Sequence, residues 1–232
     1  MPGLITHLEI ANNIGKKLKT GIIKNRALFY IGSIAPDAVH SKEDYQRIHK
    51  KKSHLRQEIA DVDFNNISNL ELFYSRVEKF INNNIFKESK FNDLYKGYVV
   101  HLLTDELFLL KVRPKFVEKM QAIDITPRNI EFKERILYEL DCHNFMFLEN
   151  NRKYNEIFKL IKNVKVLDIE DYILENEVYK EIDWMVNYYN PQKINRKEPK
   201  YIFNKEIKEF SNFATDNIIE RLSDNKSFSK IF

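Results

Sequence analysis

The sequence predicts an all-α protein, a single-domain multi-helix bundle over residues 1–232. Three observations carry that expectation. Apolar residues recur at three- and four-residue spacing through long windows, the period of a helix with one buried face. Strand-like alternation is scarce, and the β-branched pairs Ile22-Ile23 and Val99-Val100 fall inside helix-length patterns. Only five glycines and six prolines interrupt the chain, so few positions break a helix.

Leu8, Ile10, Ala11, Ile14 and Leu18 predict a first helix over about 7–19, ended by Gly21. Residues 25–31 form a short apolar segment leading into Gly32-Ser33-Ile34-Ala35-Pro36-Asp37. Pro36 restricts Ala35 to extended conformations, which puts Asp37 on a loop or at a helix start. Residues 41–52 are polar and read as irregular, with His54 opening or preceding a short helix. Ser68-Asn69-Leu70-Glu71 has the capping-box pattern and starts a helix to about residue 82. Its apolar face is Leu72, Phe73, Val77, Phe80 and Ile81. The next helix covers about 90–112 and is stopped by Pro114, with Leu94, Tyr98, His101, Asp105 and Phe108 as its inward stripe. Gly97 within it is unfavourable in a helix and signals close packing against another segment. Thr126-Pro127 reads as an N-cap and a first-turn proline. The helix after it reaches about 149, with Ile136, Leu140, His143 and Phe147 inward. Further helices are expected near 154–161, 175–189 and 204–222, and Pro191 to Pro199 reads as a polar connector.

The hydrophobic share of 43% argues against global disorder. The net charge of +4 is spread among interspersed charges and lacks the concentrated basic face usual for nucleic-acid binders. The local run from His49 to Arg56 reads either as a solvated loop or as a phosphate-attracting rim beside a metal. The single cysteine, Cys142, fits a reducing compartment and a small core residue. The N-terminal MPGLITHLEIANNIGKK lacks the pattern of a signal peptide, and no apolar window is long enough to span a bilayer. A cytoplasmic location without membrane insertion is the expectation.

Five residues in short distinctive contexts suggest a metal. They are His7 in ITHLEIA, Asp37 in GSIAPDAV, His54 in KKSHLR, and His101 with Asp105 in GYVVHLLTDE. His101 and Asp105 share a helix face one turn apart, on a stripe that faces the core. Two polar groups there need partners, and a metal satisfies both. His54, His101, Asp105 and Asp37 would make a shell of two histidines and two carboxylates, with His7 on the same ion or a neighbouring one. Each has a plainer reading. Asp37 after a proline also suits a helix N-cap. His143 on an apolar face suits a hydrogen-bonded core residue better than a ligand. His40 and His49 lie in polar stretches and read as exposed.

In the order ITH, GSIAPDA, KSHLR and GYVVHLLTDE, about the first 110 residues resemble the zinc-dependent phospholipase C family. That family shares a wider fold group with the S1/P1 nucleases. The rest of the chain matches it only in being helical. The resemblance implies an all-α bundle of the phospholipase C/P1 nuclease type. It implies a metal-site half over about 1–112, a helical remainder over about 126–224, and Zn2+ in a cleft between helices. A metal-activated water would attack a phosphodiester. By the same likeness His7, Asp37, His54, His101 and Asp105 are the ligands, and Asp37 bridges metals or orients the attacking water.

The chain also departs from the family. Secreted members and the nucleases hold three zincs, using the mature N-terminal amine and first residue as ligands. Here Pro2 would become the terminus only through removal of the methionine. They also carry a later histidine pair with a glutamate one turn after the second. Here His143 is followed four residues on by Phe147, and Asp141 and Glu149 do not match that placement. The resemblance therefore implies one complete zinc site and leaves a second to His7 or His143. The expected activity is zinc-dependent hydrolysis of a phosphate ester, with Lys51, Lys52 and Arg56 beside His54 to hold the anionic substrate. The alternatives are a non-catalytic helical protein with a structural metal, or a nuclease acting on single-stranded nucleic acid. Nothing in the sequence bears on oligomeric state.

Overall fold

The chain's helices are arranged around one long segment, Asn92–Lys111, in which fifteen residues from Asp93 to Leu109 are buried. The structure is a computed structural model, and it describes residues 1–85, 89–149, 151–170, 172–190, 197–223, 228 and 230–232. Among these, ten α-helices run in order: α1 Leu4–Lys17, α2 Arg26–Gly32, α3 Arg47–Ser53, α4 Ile67–Asn84, α5 Asn92–Lys111, α6 Arg113–Gln121, α7 Ile130–Leu148, α8 Asn151–Ile161, α9 Glu175–Tyr188 and α10 Asn204–Ser223. A 3-10 helix covers Ala35–Ser41 between α2 and α3. The β structure among the described residues is one isolated antiparallel bridge between Ile169 and Ile173. The all-α fold class is as expected. No described helix is long and apolar enough to cross a membrane.

Helix α5 packs on α1, α2, α4, α6, α10 and the 3-10 helix. Its closest crossing is with α2, where two glycines let the backbones meet. A Cβ on Gly97 would stand 2.1 Å from the Phe29 carbonyl oxygen, and one on Gly32 would stand 2.0 Å from that of Leu94. The close packing expected from Gly97 is thus present, and it brings Ser33 beside His101.

Buried carboxylates tie distant segments to this core with charge-assisted hydrogen bonds. Asp93 accepts the Lys24 and Asn25 amides at 2.8 and 2.6 Å. Glu106 accepts the Tyr74 hydroxyl at 2.8 Å and Arg221 of α10 at 2.7 Å. Glu139 of α7 accepts three successive amides, Lys200, Tyr201 and Ile202, at 2.8–3.0 Å. That clamp sets the approach of the chain to α10.

Several local expectations are corrected. Residues 47–53 are helical, and His49 is half-buried, its Nδ1 accepting the Gln46 amide at the helix start. His54 ends α3 instead of opening a helix. Ser68 lies inside α4, whose N-cap is Asn66 with no side-chain cap bond. Pro114 does not merely stop α5. It sits in the first turn of α6, where its missing N–H costs nothing. Thr126-Pro127 forms a turn before α7, because the Asn129 side chain accepts both the Thr126 amide and hydroxyl at 2.7 Å. Residues 191–196 of the expected connector lie outside the described residues.

Candidate metal centre

Five side chains from four elements converge beneath the α2–α5 crossing. His7 comes from α1, Asp37 from the 3-10 helix, His54 from the end of α3, and His101 with Asp105 from α5. All five are buried, with Asp37 the most accessible at 7%.

Second partners fix two of the rings. His101 Nδ1 lies 2.8 Å from the Ser33 carbonyl, and His54 Nδ1 lies 2.9 Å from the Lys50 carbonyl. A carbonyl only accepts, so each Nδ1 carries the proton and each Nε2 keeps a lone pair. Those two Nε2 atoms face each other at 3.2 Å. Two lone pairs this close repel unless a cation or proton lies between them. The Tyr98 hydroxyl, one turn before His101, donates to the Ser53 carbonyl at 2.5 Å and pins the end of α3 to α5.

The carboxylates complete the same point. His54 Nε2 lies 3.4 Å from Asp37 Oδ1 and 3.5 Å from Asp105 Oδ2, and His101 Nε2 lies 3.9 Å from that Asp105 oxygen. A tetrahedral ion with bonds of about 2.0–2.1 Å to nitrogen and oxygen has ligand–ligand edges of about 3.3–3.4 Å. The separations of 3.2–3.5 Å around His54 are close to that edge length, and the His101–Asp105 separation is longer. Asp105 turns its other oxygen toward His7, 3.4 Å away, and the His7 ring stacks on His101 at 3.8 Å. Neither nitrogen of His7 and neither oxygen of Asp105 has a hydrogen-bond partner. Four orphaned polar atoms in a buried space are costly unless something supplies positive charge. Two donor groups that could hold a metal ion result, His7–His101–Asp105 and Asp37–His54–His101, sharing His101.

Electrostatics agree with that need. Burial pushes His54 and His101 below their usual range, and the neighbouring His7 adds to the effect at His101. Burial would raise both carboxyls, but their neighbours overcome it. Lys50 and the adjacent His54 and His101 hold Asp37 well below 3.8, and His7, His101 and His54 hold Asp105 low. Neutral rings facing ionised carboxylates are the protonation states a divalent cation requires.

Residues 6–106 match the family model of zinc dependent phospholipase C. Over this stretch the chain is similar to the zinc-dependent phospholipase C family. No curated protein and no solved structure matches the chain. The family match contains all five converging residues and ends inside α5.

The matched region does not contain His143, and the structure puts that residue elsewhere. Its Nε2 donates to the Ile202 carbonyl at 2.7 Å, next to the Glu139 clamp, as a core histidine would. Asp141 is engaged by the Tyr188 and Tyr189 hydroxyls at 3.1 and 2.9 Å. Of the cations named from sequence, Lys52 is exposed on α3. Arg56 is buried near Met1, 3.4 Å from Asp61 and over the Phe64 ring. Neither makes a contact with the five converging residues.

Three residues around the 3-10 helix were missed from sequence. Lys50 Nζ lies 3.0 Å from both Asp37 Oδ1 and His40 Nε2. Lys50 precedes His54 by one helical turn, so the spacing carried a signal that the neighbouring Lys51 and Lys52 obscured. His40, read as merely exposed, has a 40% exposed side chain but turns its Nε2 to within 3.7 Å of Asp37. Burial and the adjacent Lys50 push it down to about 4. Glu181 lies on α9, which packs on the 3-10 helix, and its Oε2 accepts the Ser41 hydroxyl at 3.2 Å. Burial, reinforced by Asp37, raises its carboxyl to about 7.

Proposed function

We propose that this protein is a zinc-dependent hydrolase of phosphate esters, acting on a phosphodiester. The observation that supports the reading is the pair of Nε2 lone pairs of His54 and His101, 3.2 Å apart, with Asp37 and Asp105 oxygens 3.4 and 3.5 Å from His54 Nε2. His54, His101 and Asp105 would hold the metal and leave its fourth position open, with Asp37 and His7 beside them. Zinc, when bound, brings the pKa of a water toward about 7 and stabilises charge on phosphoryl oxygens.

The chain's own groups do the rest. The Ser33 and Lys50 carbonyls keep both rings in the tautomer that presents Nε2. Asp37, the most accessible carboxylate, orients the attacking water at the mouth. The Lys50 ammonium donates two hydrogen bonds to protein groups, and its third N–H is available to a phosphoryl oxygen. It takes the substrate-holding role that adjacency to His54 suggested for Lys51, Lys52 and Arg56.

A second reading, single-stranded nucleic acid as substrate, is favoured by one observation. Trp184 and Tyr188 are exposed and stacked at 5.2 Å on α9, the helix that carries Glu181. Such pairs suit base stacking.

The test is hydrolysis of bis(p-nitrophenyl) phosphate, phosphatidylcholine micelles and oligo-dT by zinc-loaded protein, with His101→Ala and Asp37→Asn as controls. We expect activity on at least one, lost by a factor of about 100 or more in both variants. Activity unchanged in both would overturn the reading. Preference for oligo-dT over the micelles would select the nuclease reading.

A further inference from the structure

Away from the five converging residues, a cavity of about 270 Å³ opens beside the α5–α6 junction, between it and α10. Its interior is apolar. Phe116, Ile202 and Phe210 are buried there, and Phe213, 43% exposed, lines it from the solvent side. The backbone at its edge is already satisfied. Glu139 accepts the Ile202 amide at 2.8 Å, His143 donates to the Ile202 carbonyl at 2.7 Å, and Lys119 donates to the Tyr201 carbonyl at 2.5 Å. The interior therefore offers an occupant apolar contact rather than hydrogen bonds. The charged groups around it are unequal. Of the two acids, Glu206 accepts the Phe203 amide at 2.8 Å and lies 3.8 Å from Lys119, and Glu209 lies 3.9 Å from Lys205. Lys111 and Lys115, which also line the cavity, are exposed and form no ion pair among the described residues. The Lys111 ammonium lies 5.8 Å over the Phe213 ring instead. Acid charge is matched within the wall, and two positive charges are left over.

We propose that this cavity binds a small single-chain amphiphilic anion, a fatty carboxylate of about eight carbons. Size and charge select that occupant. At about 30 Å³ for each water-sized group, the cavity of 270 Å³ admits about nine such groups. That is one short acyl chain with its head group, and too little for a two-chain lipid. The chain lies against Phe116, Phe210 and Phe213, and the carboxylate meets the ammoniums of Lys111 and Lys115, whose long stems cover apolar surface while their heads stay in water. A cationic ligand gains nothing here, since both glutamates are engaged. The site uses none of the five converging residues and stands apart from the hydrolase reading.

The test is calorimetric titration of the full chain with sodium octanoate, sodium acetate and octyltrimethylammonium, each below its micelle concentration, with the bound position mapped by amide chemical shifts. We expect one octanoate per chain and shifts centred on Val112, Phe116 and Phe213. Acetate, which lacks the chain, and the cation, which reverses the charge, should each bind more weakly by a factor of about 10 or more. Lys111→Gln combined with Lys115→Gln, both at exposed positions, should weaken octanoate by a similar factor while circular dichroism shows the fold kept. No saturable octanoate binding, equal binding of the cation, shifts centred elsewhere, or unchanged affinity in the folded double variant would each overturn the proposal. Sedimentation of the free protein covers the remaining occupant: a dimer that Phe213→Asp dissociates would put a second copy of this chain at the site and overturn the proposal as well.

Discussion

His54 and His101 present unprotonated nitrogens to each other because backbone carbonyls hold their other nitrogens, and this makes the metal-free protein acid-sensitive. Burial depresses both histidines, so below about 6.5 the unfolded chain binds protons that the folded chain excludes. Asp37 and Asp105 act in the same direction at lower pH. Their folded carboxylates stay ionised while unfolded ones protonate below about 3.9, so the stability they lend above that pH is lost as pH falls further. Melting temperature in chelator should therefore be highest above about pH 6.5 and fall steadily toward pH 4. Zinc should raise it at pH 7.5, by about 4 kcal/mol of stability at a thousandfold excess over Kd, and much less at pH 5, where protons compete for the ligands. A melting temperature flat from pH 7.5 to 5 in chelator would contradict this assignment of protonation states. At this scale the sequence was most legible where polar residues interrupt a buried stripe. His101 and Asp105 on α5 could be read because a helix period fixes which way a side chain faces. His40 and Glu181 could not, since their relevance depends on how α9 lies against the 3-10 helix, a packing that no local spacing encodes.

The elements that carry the site are held by backbone geometry as much as by side chains. Helix α3 ends in paired bonds from the Leu55 amide to Lys52 and from the Arg56 amide to Lys51, with Leu55 at φ 54. That left-handed position normally takes glycine, and a leucine there left no stop signal, so the helix was missed and His54 was assigned to the wrong end. Gly97 was readable because a glycine inside a strong helix needs a packing reason. It supports a paired prediction. Gly97→Ala drives a methyl into the Phe29 carbonyl and forces α2 from α5. We expect it to cost at least about 1–3 kcal/mol in denaturant unfolding and to weaken zinc binding, since Ser33 moves with α2 and loses its hold on His101. Gly15→Ala in α1 meets nothing closer than Ile23 at 3.9 Å, and should stabilise by about 0.5–1 kcal/mol. Equal effects at the two positions would mean that the α2–α5 contact is not limiting.

At the scale of the molecule, the family match ends at residue 106, yet the core it belongs to does not. Helix α5 is buried on nearly all sides, and α10 covers part of it, anchored by Arg221 on Glu106. Helix α1, which carries His7, packs on both α7 and α10. Asn144 of α7 accepts the Thr6 amide at 3.3 Å and donates to the Tyr189 hydroxyl at 2.7 Å, so the segment holding His7 is tied to α7 and to the end of α9. A side chain on Gly3 would collide with Asn144. The region after residue 112 thus supports the segment that holds His7, although the family match stops before it. We propose that residues 1–232 unfold as one cooperative unit. A chain ending at residue 112 would expose the faces of α1 and α5 that α7 and α10 cover, at about 1.5–3 kcal/mol for each large apolar side chain returned to water. Against a typical net stability of about 5–15 kcal/mol, a few such losses suffice. The full chain should melt in a single transition, with fluorescence and circular dichroism coincident. The 1–112 fragment should bind a hydrophobic dye and show no cooperative melt, with or without zinc. A fragment that melts cooperatively and binds zinc as tightly as the full chain would show instead that the metal-site half is a domain in its own right.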